Sequence, residues 1–469
     1  MRKIFIYLFA AFVLSACDFL NVNNIGKSTI DNYYSEVDAL PPAMNGIYNA
    51  AWSLYDTYFA LYCESASDEV SFADNSSPWF RFHTFETTSA DESTAVGYIW
   101  KYGYNVINNC NEVLYYAPIL LKENPGDASS IRDMIGQAYF MRAMVHFDLC
   151  RVYGQNYSYK PDASHQGIAV ADHIQSLTEK ISRSSVRKVY AQVVSDLETS
   201  LEYFTAAPND CYVANSLAAK ALLARVYLYM GDNSKAVSYA GEVISARGLT
   251  PREKYASMYT SAGVAGEEAI FRLHGYGQSG AQRKYYYYES PVARPSAKLT
   301  SLFTDADDVR TDLFSYEKGG KCYPNVVMKY YCTDEDAADE QKFASPFLLR
   351  VSEQYLIRAE AACRLSDTSQ AEKDLKALKA RARGVSADAV SISWTGTDGL
   401  LSLIEEERMR ELCFEGHRFF DLARWHKDVS NDEVNFTYPD YRYVLQIPYV
   451  ELDANENIKN NPTSNQELE

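Results

Sequence analysis

The chain has 469 residues, 62 acidic and 45 basic side chains, a formal charge of −17, 47% apolar residues and 38 tyrosines. That acidic excess opposes contact with nucleic acid and with anionic lipid, and the length admits two or three hydrophobic cores or one large one. Beyond the first 16 residues no stretch approaches ~18 consecutive apolar residues, so nothing further along the sequence reads as a membrane span.

The chain begins with Arg2 and Lys3, continues through an apolar run from Ile4 to Leu14, and places Ser15 and Ala16 before Cys17. A charged start, a short apolar segment and small residues make residues 1–16 a lipoprotein signal peptide. Cys17 is then the acylated first residue of the mature protein, with more acyl chains than the two signals that stable anchoring takes. An ordinary secretory leader with a chance cysteine is the competing reading. Loss of Arg2 and Lys3 would take the formal charge from −17 to −19.

Residues 17–40 read as a lipidated tether. A helical region follows over 41–250, beginning with "DALPPAMNGIYNAAWSLY". In "IWKYGYNVINNCNEVLYYA", Trp100, Tyr104, Ile107, Cys110 and Leu114 recur every three to four residues and mark one buried helix face. "IGQAYFMRAMVHFDLCRVYG" is apolar nearly all round, so it predicts a helix buried on several sides. Its Arg142 then requires a carboxylate or backbone carbonyls.

"ALLARVYLYMGDNSKAVSYAGEVI" (221–244) and "YLIRAEAACRLSDTSQAEKDLKAL" (355–378) share one plan: a small-residue helix, a short break, and a second amphipathic helix. Asp232 and Asp367 stand where an N-cap oxygen meets unsatisfied amides. Ala224, Ala236 and Ala240 in one copy, and Ala359, Ala361 and Ala371 in the other, permit close approach. The fold class is therefore mainly α, a tetratricopeptide-like helical repeat. Residues 251–350 change character, with "AIFRLHGY" and "NVVMKYY" reading as strands in a loop-rich, partly β insertion. Residues 351–469 return to helix, and 400–425 reads as one helix whose Glu407, Arg408, Glu411, Glu415, Arg418, Asp421 and Arg424 pair along its length.

Chemistry-bearing motifs are few. HExxH and GxSxG do not occur, and "IGKST" lacks the first glycine of a P-loop, where Asn21 stands. The eight cysteines after Cys17 form no CxxC and no zinc spacing. Most lie in apolar helical contexts, where cysteine behaves as a small hydrophobe. Cys322 and Cys332 are the best local pair for a disulfide, and whether they join is left open. No metal or cofactor is called for. Glycosidase chemistry needs only two carboxylates about 5 to 9.5 Å apart, but the carboxylates cluster in helical ion-pair patterns rather than in the aromatic loops.

Two stretches combine aromatic planes with amides and charges outside helical periodicity, the combination that grips sugar rings. In "SDEVSFADNSSPWFRFHTFE" these are Trp79 and Phe80 beside Asp74, Asn75 and Arg81. In "HGYGQSGAQRKYYYYES" they are Tyr276, Arg283, Tyr285, Tyr286, Tyr287 and Tyr288, beside Gln282. Strand alternation would leave at most half of the tyrosine run facing a ligand. Trp79 is the foremost candidate, against plain packing beneath the loops.

The segment from Glu407 to Trp425 closely resembles the C-terminal signature of the SusD/RagB family of outer-membrane nutrient-binding lipoproteins, E-R-x-x-E-L-x-x-E-G-x-R-x-x-D-L-x-R-W. The matching residues are Glu407, Arg408, Glu411, Leu412, Glu415, Gly416, Arg418, Asp421, Leu422, Arg424 and Trp425. "CDFLNV", both helix pairs and "LQIPYVELDANENIKNNP" follow the family's order, with Asn460-Asn461-Pro462 in place of its usual Gln-Asn-Pro. The resemblance implies a non-catalytic, lipid-anchored protein of the outer membrane and cell surface. It would sit as a lid on a SusC-like TonB-dependent transporter and capture oligosaccharide, or peptide in a RagB-like branch. The family's ligand loops come from the same two parts of the chain. A glycoside hydrolase and a protein-only tetratricopeptide-like adaptor are the lesser alternatives.

Overall fold

The computed structural model describes residues 30–176, 178–205, 210–261, 266–274, 291–329 and 345–468. Cys17 and Cys332 lie outside the described residues; Cys322 carries a free, exposed thiol. Among the described residues no helix is long and apolar enough to cross a membrane.

Helix α1 (Leu40–Ser53) starts with prolines in its first turn, where their missing amide is harmless. It runs through a π-helical turn, Leu54–Phe59, into α2 (Ala60–Ser65). Helix α3 (Ala95–Glu123) is capped by Thr94, and its Trp100, Ile107 and Cys110 are buried as the periodicity required, with Tyr104 and Leu114 packed at the margin. Helix α4 (Ala128–Tyr153) is the apolar one. Its Arg142 meets Asp196 at 2.6 and 2.8 Å, the Asn111 side chain at 2.8 Å and the Asp172 carbonyl at 2.9 Å. The charge is thus fully hydrogen-bonded where it is buried.

Helix α5 (Val186–Tyr203) leads to the first repeat, α6 (Ser216–Met230) and α7 (Asn233–Ala246); the second is α8 (Val351–Arg364) and α9 (Thr368–Arg383). Asp232 and Asp367 accept from the amides of Lys235 and Gln370, as N-caps do. The six alanines singled out above are all fully buried. From α3 to α9 each helix packs on the next, and α8 continues the stack directly on α7 although about a hundred residues separate them in sequence. The intervening chain is looped out and forms its own small core around Tyr255, Met258, Tyr259, Leu313 and Phe347.

Among the described residues, four two-stranded antiparallel ribbons accompany the helices. Strand β1 (Val70–Phe72) pairs with β3 (Ala293–Pro295), and β2 (Ala269–Arg272) with β6 (Phe347–Arg350). Strand β4 (Ser315–Lys318) pairs with β5 (Lys321–Pro324) across Gly319-Gly320, both at positive φ. β7 (Val429–Ser430) pairs with β8 (Asn435–Phe436). "AIFR" is a strand as expected. The described part of "NVVMKYY" is not: the diglycine turn spends the strand on 321–324, and Val326, Val327 and Met328 are buried in irregular chain.

The signature segment also departs from a single helix. Helix α10 (Gly396–Leu412) stops at Cys413, and α11 (Arg418–Arg424) resumes after a turn in which Phe414 and Gly416 have φ of 60° and 75°. The turn exposes amides, and two buried acids take them: Glu69 accepts from Phe414 N at 3.0 Å and Glu64 from Gly416 N at 2.5 Å. Because the helix is broken, most signature charges pair with other elements rather than along one axis. Glu411 meets Arg350, Arg381 and Arg310; Glu415 meets Arg350 and Lys329; Arg418 meets Asp68; Arg424 meets Glu360. Burial raises the Glu411 carboxyl, but its three arginines more than offset that and hold it well below the usual carboxylate range. The segment ties the chain after α2, the insertion and the second repeat to one another.

Candidate functional site

The β1–β3 ribbon fixes the root of the first predicted ligand loop. Its rungs pair Ser71 with Arg294 and Phe72 with Ala293, and the ladder ends where Ala73 N donates to Val292 O at 2.8 Å. The loop holding Asn75 to Arg81 leaves from Ala73, and residues 275–290 lead into Val292. Ala73 and Val292, more than 200 residues apart in sequence, therefore meet at one ribbon end. Tyr276, Arg283 and Tyr285 to Tyr288 lie outside the described residues.

The first loop is built by local hydrogen bonds. Asp74 accepts from the Ser76 amide at 2.9 Å and its hydroxyl at 2.6 Å, an Asx turn; the Ser76 hydroxyl and amide lower the Asp74 carboxyl below its ordinary value. Asn75 is exposed at the tip, its side chain without a hydrogen-bond partner among the described residues. Past Pro78, the short helical turn Phe80–His83 begins.

Trp79, the foremost candidate by sequence, is only 9% exposed and packs on Phe82 with ring centroids 5.4 Å apart. The turn after Pro78 rolls the indole into the core, so the structure places it beneath the loop, the packing role weighed against it. Phe80 is half-buried, edge-on to Phe72 at 5.7 Å. Arg81 is exposed and closes the loop on itself, pairing with Asp91 and donating to the Glu86 carbonyl at 2.8 Å. Burial raises Asp91, and Arg81 with the Thr88 amide more than reverses this, so the carboxylate stays charged beside its partner. Phe80, Arg81, Asn75 and Asp74 are thus gathered on one loop above Trp79.

Arg294 was not legible as a site residue. In "SPVARPSAKL" nothing marks it, but the ribbon register sets it opposite Ser71 while Ala293 and Pro295 turn inward. Its buried Nε has no hydrogen-bond partner among the described residues. Arg294 is half-buried on the rung beside the root of the first loop, where its guanidinium adds a donor-only group.

The site can hold a polar ligand with apolar faces: a carboxamide, two guanidinium groups and a half-exposed phenyl ring surround the loop root. Comparison with known proteins agrees with the fold around it. A model described as the SusD family matches residues 318–443, and one described as "Starch-binding associating with outer membrane" matches residues 18–228. "SusD-like protein P2" of Formosa agariphila is 26% identical, the match covering 96% of this chain and 97% of that protein. Among solved structures, one described as a putative sugar binding protein from Bacteroides vulgatus superposes with a TM-score of 0.80 at 25% identity, covering 92% of this chain and 99% of the other. A SusD superfamily protein from Bacteroides thetaiotaomicron gives 0.78 at 24% identity, covering 91% and 100%. With the two models together taking in more than two thirds of the chain, and the signature folded as the turn that locks both halves, the protein belongs to the SusD/RagB family.

Proposed function

We propose that this is a non-catalytic, lipid-anchored outer-membrane protein that binds oligosaccharide and passes it to a SusC-like TonB-dependent transporter. The observation that supports the binding reading is the loop 74–81, which sets Phe80, Arg81 and Asn75 at the end of the β1–β3 ribbon. Phe80 offers an apolar surface for a sugar ring, and Asn75, Arg81 and Arg294 offer hydrogen bonds to its hydroxyls. The names carried by the family model and by the sugar-binding neighbour support a carbohydrate rather than a peptide.

Hydrolysis is disfavoured by where the acids sit. Glu64 and Glu69, each buried and each with a raised carboxyl pKa, resemble a catalytic acid pair on titration grounds. Both are 1% exposed and each spends an oxygen on the signature turn, so a glycosidic bond has no route to them.

Titration of the mature chain with a panel of neutral oligosaccharides and of peptides tests the cargo. Saturable glycan binding lost in Arg81→Ala/Phe80→Ala supports the reading; peptide binding alone replaces it with peptide capture, and turnover of any glycan replaces it with an enzyme. Mass spectrometry of native material should find Cys17 acylated, and an unmodified terminus would remove the anchor. Co-purification of a large outer-membrane barrel with the tagged chain tests the partner.

A further inference from the structure

A second surface carries the same chemistry away from the loop root. A groove of about 1010 Å³ runs between α3, the segment 169–181 and the chain at 448–458. On α3 the residues Tyr98, Tyr102 and Asn105 fall at i, i+4 and i+7 and so share one helix face. The rings of Tyr98 and Tyr102 stack 5.8 Å apart at 26°. Tyr58 packs on both, at 4.6 and 5.7 Å. Tyr58 belongs to the π-helical turn Leu54–Phe59, a widened turn of the kind that often marks a functional site.

All three rings are half-buried, and their hydroxyls have no hydrogen-bond partner among the described residues; nor do the exposed side chains of Asn105 and Asn108 or that of Gln175. The groove thus presents flat aromatic walls with uncommitted phenols and carboxamides between them. Its charges are largely occupied: Glu179 pairs with His173, Lys180 with Glu456, and Glu92 accepts from the Val450 amide. Two lysines against three acids, of which burial raises Glu451, give no strong ionic preference. A neutral polyhydroxylated chain fits that combination better than an ionic ligand. Glu92 and Ser93 line the groove just before α3, and Ser89 O accepts from Tyr449 N at 2.9 Å.

We propose that the Tyr98–Tyr102 groove, its two rings backed by Tyr58, is a second oligosaccharide-binding site, additional to the loop site. It rests on the carbohydrate reading above. The test is calorimetric titration of the full mature chain with maltohexaose, cellohexaose, xylohexaose and mannohexaose. Asn105→Trp fills the groove from an exposed position, and Tyr98→Ala/Tyr102→Ala removes its walls; Arg81→Ala/Phe80→Ala disables the loop. The wild-type chain is expected to take two equivalents of one hexasaccharide, and each set of variants one. Wild-type stoichiometry and affinity in both groove variants, with loss in the loop variant, overturns the groove and leaves the binding function standing. Binding lost in the groove variants and kept in the loop variant supports the groove and counts against the loop. No binding by the wild-type chain overturns both.

Discussion

Arg350 and Glu411 meet inside the molecule, Nη1 lying 2.8 Å from the carboxylate, with the two side chains 2% and 0% exposed. The same guanidinium donates to the Glu411 carbonyl at 2.6 Å and to Glu415 at 2.7 and 2.9 Å, so one residue at the end of β6 gathers the signature turn. Arg350→Ala leaves three carboxylates, Glu268, Glu411 and Glu415, short of a donor in the dry interior. It is expected to cost about 3–5 kcal/mol, the range for removing one partner of a buried pair. Arg350→Lys should restore only a minor part, because a single ammonium cannot span that fork. Urea denaturation checks both, and an unchanged midpoint in Arg350→Ala would remove the residue from this role.

Glu64 makes a pH-dependent contribution of the opposite sign to the arginine-bound acids. Burial and the neighbouring Glu69 push its carboxyl well above the ordinary value, so the folded protein holds a proton that the unfolded chain releases. That contribution is complete below the unfolded pKa and is lost as pH rises through the raised folded value. Glu64→Gln keeps an oxygen for the Gly416 amide and needs no proton. Its stability relative to the wild type should therefore rise with pH from 5 to 8.5, read as the difference in unfolding free energy at each pH. A difference flat across that range would show that the pair holds no extra proton.

The helical scaffold was legible because its signals are local. The 3.6-residue recurrence through Trp100, Ile107 and Cys110, the two Asp caps and the small-residue helices each specify their own neighbourhood. The signature segment was legible as buried ion pairs but not as a broken helix. Its spacing fits an unbroken helix, and what stops α10 is a pair of acids, Glu64 and Glu69, some 350 residues earlier. The inward placement of Trp79 was hidden for a related reason: composition marks a loop rich in binding groups, but which ring turns inward is decided by Phe82 and the core below it. Arg294 carries no pattern at all and acquires meaning only through its register opposite Ser71.

The paired caps give a smaller prediction. Asp232 and Asp367 each satisfy one amide at the start of the second helix of a repeat, at 3.2 and 3.1 Å. Each Asp→Ala change should cost about 1 kcal/mol, and the double variant the sum, since the caps share no partner. A double-variant loss well beyond that sum in thermal unfolding would mean that the repeats transmit fraying through the contact of α7 with α8.

The last prediction separates Trp79 from its neighbours. Its indole lies against Phe82 beneath the loop, whereas Arg81 lies above it and holds only Asp91 and the Glu86 carbonyl. Trp79→Ala opens a cavity in the core and should cost about 3–5 kcal/mol, lowering the melting temperature whether or not ligand is present. Arg81→Ala removes a half-exposed ion pair, of the class contributing about 0–1 kcal/mol, so its melting temperature should barely move. Its oligosaccharide affinity should fall, both because a donor is gone and because the 81–91 loop loses its clasp. The pair of measurements discriminates, since a loop ligand residue and a loop foundation respond oppositely. If Trp79→Ala instead loses affinity at an unaltered melting temperature, the ring must swing outward to meet the sugar, and the tryptophan becomes the platform that its position after Pro78 first suggested.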